Sequence, residues 1–213
     1  MIPLSPNIND NVGMAQKAIH GTTTVGLIAS DHVVLAADKR ATAGTLIASR
    51  SVKKIVKLTS YSAMTISGLV ADAQALADMI REESRYYQLT TGKPLSVRGI
   101  ATLLSNMLFY NKYFPYIVQL IVGGYDTKPR LYTLDLYGSI TEDLYTATGS
   151  GSPVAYGVLE DGYREDISLD EAIELARKAI RSAILRDSAT GDGIDIVVIG
   201  KNTFIEKFIP FKK

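Results

Sequence analysis

Cysteine and tryptophan are absent from this 213-residue chain, and histidine occurs only at His20 and His32. Without cysteine there are no disulfides, no thiolate catalysis and no cysteine-based zinc site. The two histidines lack HExxH spacing and cannot build a histidine-rich metal centre, so no metal is expected. The usual general bases are therefore scarce. An excess of one charge is missing too: 23 Lys and Arg stand against 22 Asp and Glu, scattered along the chain. Neither nucleic acid nor an acidic membrane surface is an expected partner. Long apolar runs are also lacking. The most apolar stretch, residues 116–122, is broken by Gln119 and is too short to span a bilayer. What remains is an ordinary composition, 46% hydrophobic and 21% charged, enough for one domain with a substantial core.

Residues 1–21 have neither a basic start nor an apolar run of signal-peptide length, and read as a polar lead. From 22 to 29 and from 32 to 38 both alternating faces are apolar or small, which predicts two strands covered on both sides and joined by a turn at Ser30-Asp31. Further strands are expected at 45–48, 52–58, 62–67, 116–123, 130–137, 140–146, 194–199 and 204–209. Helical spacing links Ala73, Leu76, Ala77, Ile80 and Tyr87, stops at Gly92-Lys93-Pro94, and resumes through Val97, Ile100, Ala101, Leu104 and Leu108. A second helical block opens at Ser152-Pro153 with the serine as cap, and a capping box, Ser168 to Glu171, precedes Ile173, Ala176, Ile180 and Ala183. Strands, a helix pair, strands, a helix pair and closing strands predict an α+β domain. Its two sheets pack face to face with helices outside, a four-layer αββα sandwich.

Thr22-Thr23-Thr24 follows Gly21 and opens the first strand. Threonine there is by itself a good strand former. A cut between Gly21 and Thr22, however, would give one residue both a hydroxyl nucleophile and a free α-amine, whose reference pKa of about 8 suits a general base. Gly21 allows the tight bend by which that hydroxyl would approach its own preceding carbonyl. Antiparallel register about residue 30 sets Thr22 opposite residue 38 or 39. Asp38 therefore falls beside the new terminus, and an aspartate closing the apolar run 33–37 needs a cationic partner. Asp187 stands at a helix C-terminus, where the macrodipole disfavours an acid, so another group must hold it. Gly68 ends a strand just before a helix starting near Val70, a place where a backbone N–H can meet an oxyanion. Gly149-Ser150-Gly151-Ser152 lacks the Gly-Lys-Ser/Thr of a P-loop and reads as a strand-to-helix turn.

Six strings occur in order: TTTVG at 22–26, AADKRAT at 36–42, KKI at 53–55, SGLVADAQ at 67–74, GSGSP at 149–153 and RDSATGDGID at 186–195. Together they resemble a β-subunit of the archaeal type of proteasome core particle, an N-terminal nucleophile hydrolase, from Thr22 to about Ile199. The resemblance implies the αββα fold and a threonine endopeptidase without a cofactor. It makes residues 1–21 a propeptide, cut at Gly21-Thr22 by Thr22 itself, and 22–213 a single catalytic domain. It pairs Asp38 with Lys54 beside the nucleophile and gathers Ser150, Asp187 and Thr190 about the amine, the last at a position where the family usually has serine. It assigns the oxyanion to the Gly68 N–H. Ala41, Val52, Val56, Ile66 and Val70 would line an uncharged pocket for a large hydrophobic side chain, with Gln74 near its floor, and Thr42 would anchor an extended peptide. Lys39, Arg40 and Lys53 are left as solvated charge pairs and Ser188 as a helix-end polar residue. Implied partners are β-subunits in a heptameric ring, proteasome α-subunits, an ATP-dependent unfoldase ring and unfolded polypeptide substrates, in the cytoplasm. The competing expectation is a noncatalytic or unprocessed ring subunit.

Overall fold

Strands β1 (Thr24–Ala29) and β2 (His32–Asp38) form the expected hairpin, turning at Ser30 and Asp31, with Thr24 paired to Ala37 and Ala29 to His32. The structure is a computed structural model that describes residues 21–211. The lead before Gly21, with His20, lies outside the described residues. A small hairpin, β3 (Ala41–Ala43) and β4 (Leu46–Ser49), follows, then β5 (Ile55–Thr59) and β6 (Ser62–Gly68). Helices α1 (Val70–Thr91) and α2 (Val97–Tyr110) lead to β7 (Val118–Tyr125), β8 (Pro129–Leu134), β9 (Ile140–Glu142) and β10 (Tyr145–Thr148). Helices α3 (Ser152–Gly162) and α4 (Leu169–Arg186) precede β11 (Ile194–Gly200) and β12 (Thr203–Ile209). The strands make two five-stranded antiparallel sheets, in the orders β10-β1-β2-β11-β12 and β5-β6-β7-β8-β9.

The hydrophobic clusters reproduce the four expected layers. Between the sheets, Val33, Leu35, Ala37 and Val197 of the first meet Ile55, Ala63, Ile121 and Leu131 of the second. The outer face of the first sheet, with Leu27, Val34 and Ile196, packs under Leu159, Ala176 and Ile180 of α3 and α4. The outer face of the second, with Met64, Leu120 and Val122, packs under Leu76, Ile80 and Leu104 of α1 and α2. Strand β2 thus buries both faces, which is why its sequence shows no polar alternation. Among the described residues no helix is long and apolar enough to cross a membrane.

Gly26 lies against the second sheet, where an added Cβ would stand 2.7 Å from Leu131 Cδ1 and 3.0 Å from Ile121 Cγ2. Gly26→Ala is therefore expected to destabilise the domain by about 1–3 kcal/mol through overpacking. Urea unfolding checks this as a lowered midpoint at unchanged slope.

Several elements differ from expectation. Residues 140–146 are not one strand: Ile140–Glu142 pairs with β8 in one sheet and Tyr145–Thr148 with β1 in the other. The handover is visible in the backbone, where Asp143 donates to Leu131 O in the second sheet and Leu144 O accepts from Ile28 in the first. Strand β5 begins at Ile55 rather than 52, because Val52 donates its N–H to Lys39 O instead of joining the ladder. The strand expected to reach 137 ends at Leu134, where Asp135 Oδ1 collects the amides of Tyr137 and Ser139 in a turn. Ser152 is not a cap. Gly151 holds that place without a side-chain bond, and Ser152 and Pro153 are already helical. Ser168 and Glu171 do form the reciprocal capping box. On α1, Tyr87 is exposed and Ser84 takes the buried face.

Candidate functional site

Antiparallel pairing brings the start of β1, the end of β2 and the start of β11 to one end of the first sheet, and the start of β5 and end of β6 to the same end of the second. Asp38, fully buried, closes β2 opposite Ile194. One of its oxygens, Oδ1, accepts Lys54 Nζ at 2.7 Å and the Thr23 amide at 3.0 Å; the other accepts the amides of Arg40 at 3.0 Å and Gly191 at 2.9 Å. Lys54 is 3% exposed. Its ammonium and the backbone next to Thr22 thus share one carboxylate oxygen. Burial pushes the Lys54 ammonium below the ordinary lysine range, with Asp38 pulling the other way. Burial likewise pushes the Asp38 carboxyl up, against the Lys54 charge and the N–H donors.

A second cluster approaches Thr22 from the other side. With Gly21 joined, the Thr22 nitrogen is an amide and donates to Ser150 Oγ at 3.2 Å. Ser150 Oγ donates to Asp187 Oδ2 at 2.5 Å, and Thr190 Oγ1 donates to the same oxygen at 2.5 Å. Because Thr190 has spent its one proton on the carboxylate, Thr23 Oγ1, 2.7 Å away, is the donor to Thr190. The hydroxyls of Ser150 and Thr190, and Thr23 through Thr190, are therefore oriented toward Asp187, which caps the C-terminus of α4 and also accepts the Ala189 amide at 3.1 Å. These donors are what hold an acid at the unfavourable end of a helix. Thr190 is fully buried.

Gly68 closes β6 with φ 112, a conformation that favours glycine. Ile66 donates to Lys54 O at 2.8 Å, while Leu69 donates to Ile117 O at 2.7 Å on the opposite edge. By alternation the Gly68 N–H points to the Lys54 edge, one step beyond the last rung of the β5 side. Ile66 is buried, and Ala41, Val52, Val56 and Val70 are half-buried. Gln74 is exposed on α1. Thr42 is buried, and its Oγ1 accepts the Gly21 amide at 3.3 Å. A side chain at position 21 would run into Ala189.

Lys39 and Lys53 make the expected ion pairs, at 2.7 Å with Asp195 and Glu206. Arg40 does more: it lies against the 188–192 loop, donating to Asp192 and to the Ser188 carbonyl. The polar contributors that sequence reasoning passed over are Thr23, Arg40, Gly191 and Asp192. All but Asp192 are adjacent to residues already singled out, and Asp192 lies inside the string 186–195. Backbone donors such as the Gly191 amide leave no side-chain signature. Among the described residues no group of three or more His, Asp or Glu is placed to hold a metal ion.

A family model described as Proteasome subunit matches residues 18–199. The chain is 70% identical over 200 residues to proteasome subunit beta 2 of Aeropyrum pernix, covering 93% of this chain and 91% of that one. It is 53% identical over 190 residues to proteasome subunit beta 2 of Hyperthermus butylicus, covering 89% and 90%. It is 49% identical over 192 residues to proteasome subunit beta 1 of Saccharolobus islandicus strain M.14.25, covering 90% and 91%. With the model spanning most of its length and relatives this similar, the chain belongs to the proteasome subunit family, as a β-subunit of the archaeal type.

Proposed function

We propose that the chain is a threonine endopeptidase subunit, made as a precursor and activated when Thr22 cuts the bond to Gly21. The observation that carries this is the convergence of two buried clusters on one residue: Asp38 with Lys54 on the Thr23 side, and Ser150 with Asp187 on the Thr22 nitrogen. Once Gly21 leaves, that nitrogen is an amine with a reference pKa of about 8, placed to take the proton of its own hydroxyl as the latter attacks a scissile carbonyl. The Lys54 ammonium stabilises the developing alkoxide, and Asp38 orients it. The Gly68 N–H, aimed past Lys54, receives the oxyanion. As the scissile carbon–nitrogen bond breaks, the protonated amine gives its proton, with Ser150 as relay, to the leaving nitrogen and is again free, while the donors Thr190 and Ala189 fix Asp187 behind Ser150. Water then hydrolyses the acyl-enzyme with the same amine as base.

The walls at Ala41, Val52, Val56, Ile66 and Val70 carry no charge, which favours a large hydrophobic residue before the cut. The Gly21 amide on Thr42 Oγ1 gives the leader the hydrogen bond that an extended substrate would make. The uncut chain is therefore silent twice over, lacking the amine and filling its own substrate position. This favours a second role for the unprocessed subunit, as a ring wall serving assembly. The full assembly in this reading is a heptameric β-ring between α-subunits, fed unfolded polypeptide by an ATP-driven unfoldase in the cytoplasm. Exposed Phe109, Tyr110, Tyr113 and Phe114 at the end of α2 suit a subunit that is covered by neighbours.

Intact mass of the chain, alone and assembled with α-subunits, tests the reading. A loss matching residues 1–21 is expected on assembly, together with cleavage of fluorogenic peptides after Tyr or Leu in preference to Asp or Arg. A fully assembled particle that keeps its leader supports the wall role instead.

A further inference from the structure

The loop from Asp187 to Gly193 carries Asp187 and Thr190, whose relay hydrogen bonds reach Ser150 and Thr23, and its ion pairs to the rest of the molecule are made further along. Asp192 makes them. It has φ 67, in the left-handed region that Asp and Asn tolerate better than most residues. Its two oxygens are divided between two guanidinium groups: Arg40 Nε donates to Oδ2 at 2.8 Å and Arg50 Nη1 to Oδ1 at 2.8 Å. Arg40 also donates from Nη1 to Ser188 O at 2.7 Å, so one planar side chain ties two points of the loop. The guanidinium lies flat on Gly191, where any side chain would occupy its place. That contact leaves Gly191 free to donate to Asp38 Oδ2 at 2.9 Å while its carbonyl accepts Lys39 N at 3.0 Å.

The two arginines also flank the β3–β4 hairpin. Arg40 immediately precedes Ala41, and Arg50 immediately follows Ser49, the residue paired with Ala41. The hairpin bears Thr42, whose hydroxyl meets the Gly21 amide. With side-chain exposures of 12% for Asp192 and 19% for Arg40, this is no solvated surface pair of negligible weight.

We propose that Arg40, Asp192 and Arg50 form a clamp in which Asp192 is a positioning residue, fixing the Asp187–Thr190 loop and the substrate-pairing hairpin in register about Thr22. The proposal rests on the threonine peptidase reading for its kinetic consequences. The Arg40 arm sets the relay against the nucleophile and so governs kcat. The Arg50 arm, 68% exposed, holds only the hairpin exit and so governs KM. A displacement of about 1 Å at a reacting group is worth about 100-fold in rate.

The test uses assembled particles carrying Asp192→Asn, Arg40→Gln, Arg40→Lys or Arg50→Gln. Asparagine keeps the left-handed backbone, so losses in Asp192→Asn report the clamp and not backbone strain. Asp192→Asn and Arg40→Gln are each expected to lower kcat by about 10- to 100-fold with KM nearly unchanged. The double variant should be no slower than the worse single. Arg40→Lys, which keeps the charge but not the fork, should recover only part of the loss. Arg50→Gln should raise KM about threefold or more at nearly constant kcat. A variant that assembles but stays untrimmed has lost the same chemistry. Hydrogen exchange over residues 187–193 reads the clamp without any activity, and should rise about tenfold or more in Asp192→Asn and Arg40→Gln. Unchanged exchange, additive losses in the double variant, or kinetics within about twofold of the parent would overturn the clamp. A parent particle that is trimmed but inactive would instead overturn the peptidase reading, leaving the exchange result to decide the clamp.

Discussion

Thr22→Ala is expected to lower peptide hydrolysis by about 10⁴-fold or more and to leave residues 1–21 attached, while the fold and the assembled ring persist. The loss should be this large because the chain has no substitute. Cysteine is absent. The neighbouring hydroxyls of Ser150 and Thr190 both donate to Asp187, and Thr23 donates to Thr190, so none is poised to attack. The fold should persist because the hydrogen bonds anchoring Thr22 run through its backbone, to Ser150 Oγ and from Gly151, and alanine keeps them. Thr22→Ser keeps the hydroxyl but loosens χ1, so it should trim its leader and retain much of the activity. Fluorogenic peptides and intact mass on the same particles are the measurement. Hydrolysis by Thr22→Ala within about tenfold of the parent would remove the nucleophile assignment.

Lys54→Ala should be both inactive and unstable, for separable reasons. Removing the ammonium strands Asp38, fully buried, with only the amides of Thr23, Arg40 and Gly191 as donors. Breaking one side of a buried ion pair costs about 3–5 kcal/mol. Replacing both members by neutral residues of similar size, Lys54→Met with Asp38→Asn, removes the buried charge while keeping an acceptor for part of the amide set, and should restore part of that stability and none of the activity. Denaturant unfolding in a Thr22→Ala background, where self-cleavage cannot intervene, gives the stability arm. The pH dependence follows from the same burial. Folding lowers the Lys54 pKa, so the native state holds this proton less tightly than the unfolded chain does. The resulting cost is present in full below the lowered value and is relieved as pH rises through it toward the ordinary lysine range. Asp38 has the opposite sense: its raised pKa means that the cost of its charge is relieved as pH falls through the folded value. Activity should therefore fall on the alkaline side before an ordinary lysine would titrate, as Lys54 loses the charge that stabilises the alkoxide. An alkaline limb that persists unshifted in the Asp38→Asn variant would assign it to another group.

The layers were legible because burial on both sides leaves a mark on a strand. Val33 to Ala37 shows no polar alternation, and a run this short, bounded by the turn at Ser30-Asp31, suits a strand between two apolar layers. The hairpin register was legible as well, since a turn at Ser30-Asp31 leaves Asp38 little choice but to finish beside the triplet. The split at Asp143-Leu144 was not legible, because an alternating pattern specifies a face but not which of two sheets supplies it. Nor was the cap at Gly151, where a serine one residue later is chemically the better capper and geometry overrode it. Arg40 was placed on the surface by its charge; what draws it inward is a loop that arrives from more than 140 residues later in the chain.

Composition and local pattern alone determined the chemical vocabulary: no thiol, too few imidazoles, a threonine behind a glycine, and an aspartate in need of a cation. These follow from residue types and short spacings, which folding cannot alter. Which hydroxyl faces which carboxylate was decided only when β1, β2, β6, β10 and the loop before β11 met at one end of the sandwich. Hydrogen-bond direction and desolvation act over a few ångströms, and distances of that size between remote segments exist only once the sheets have packed.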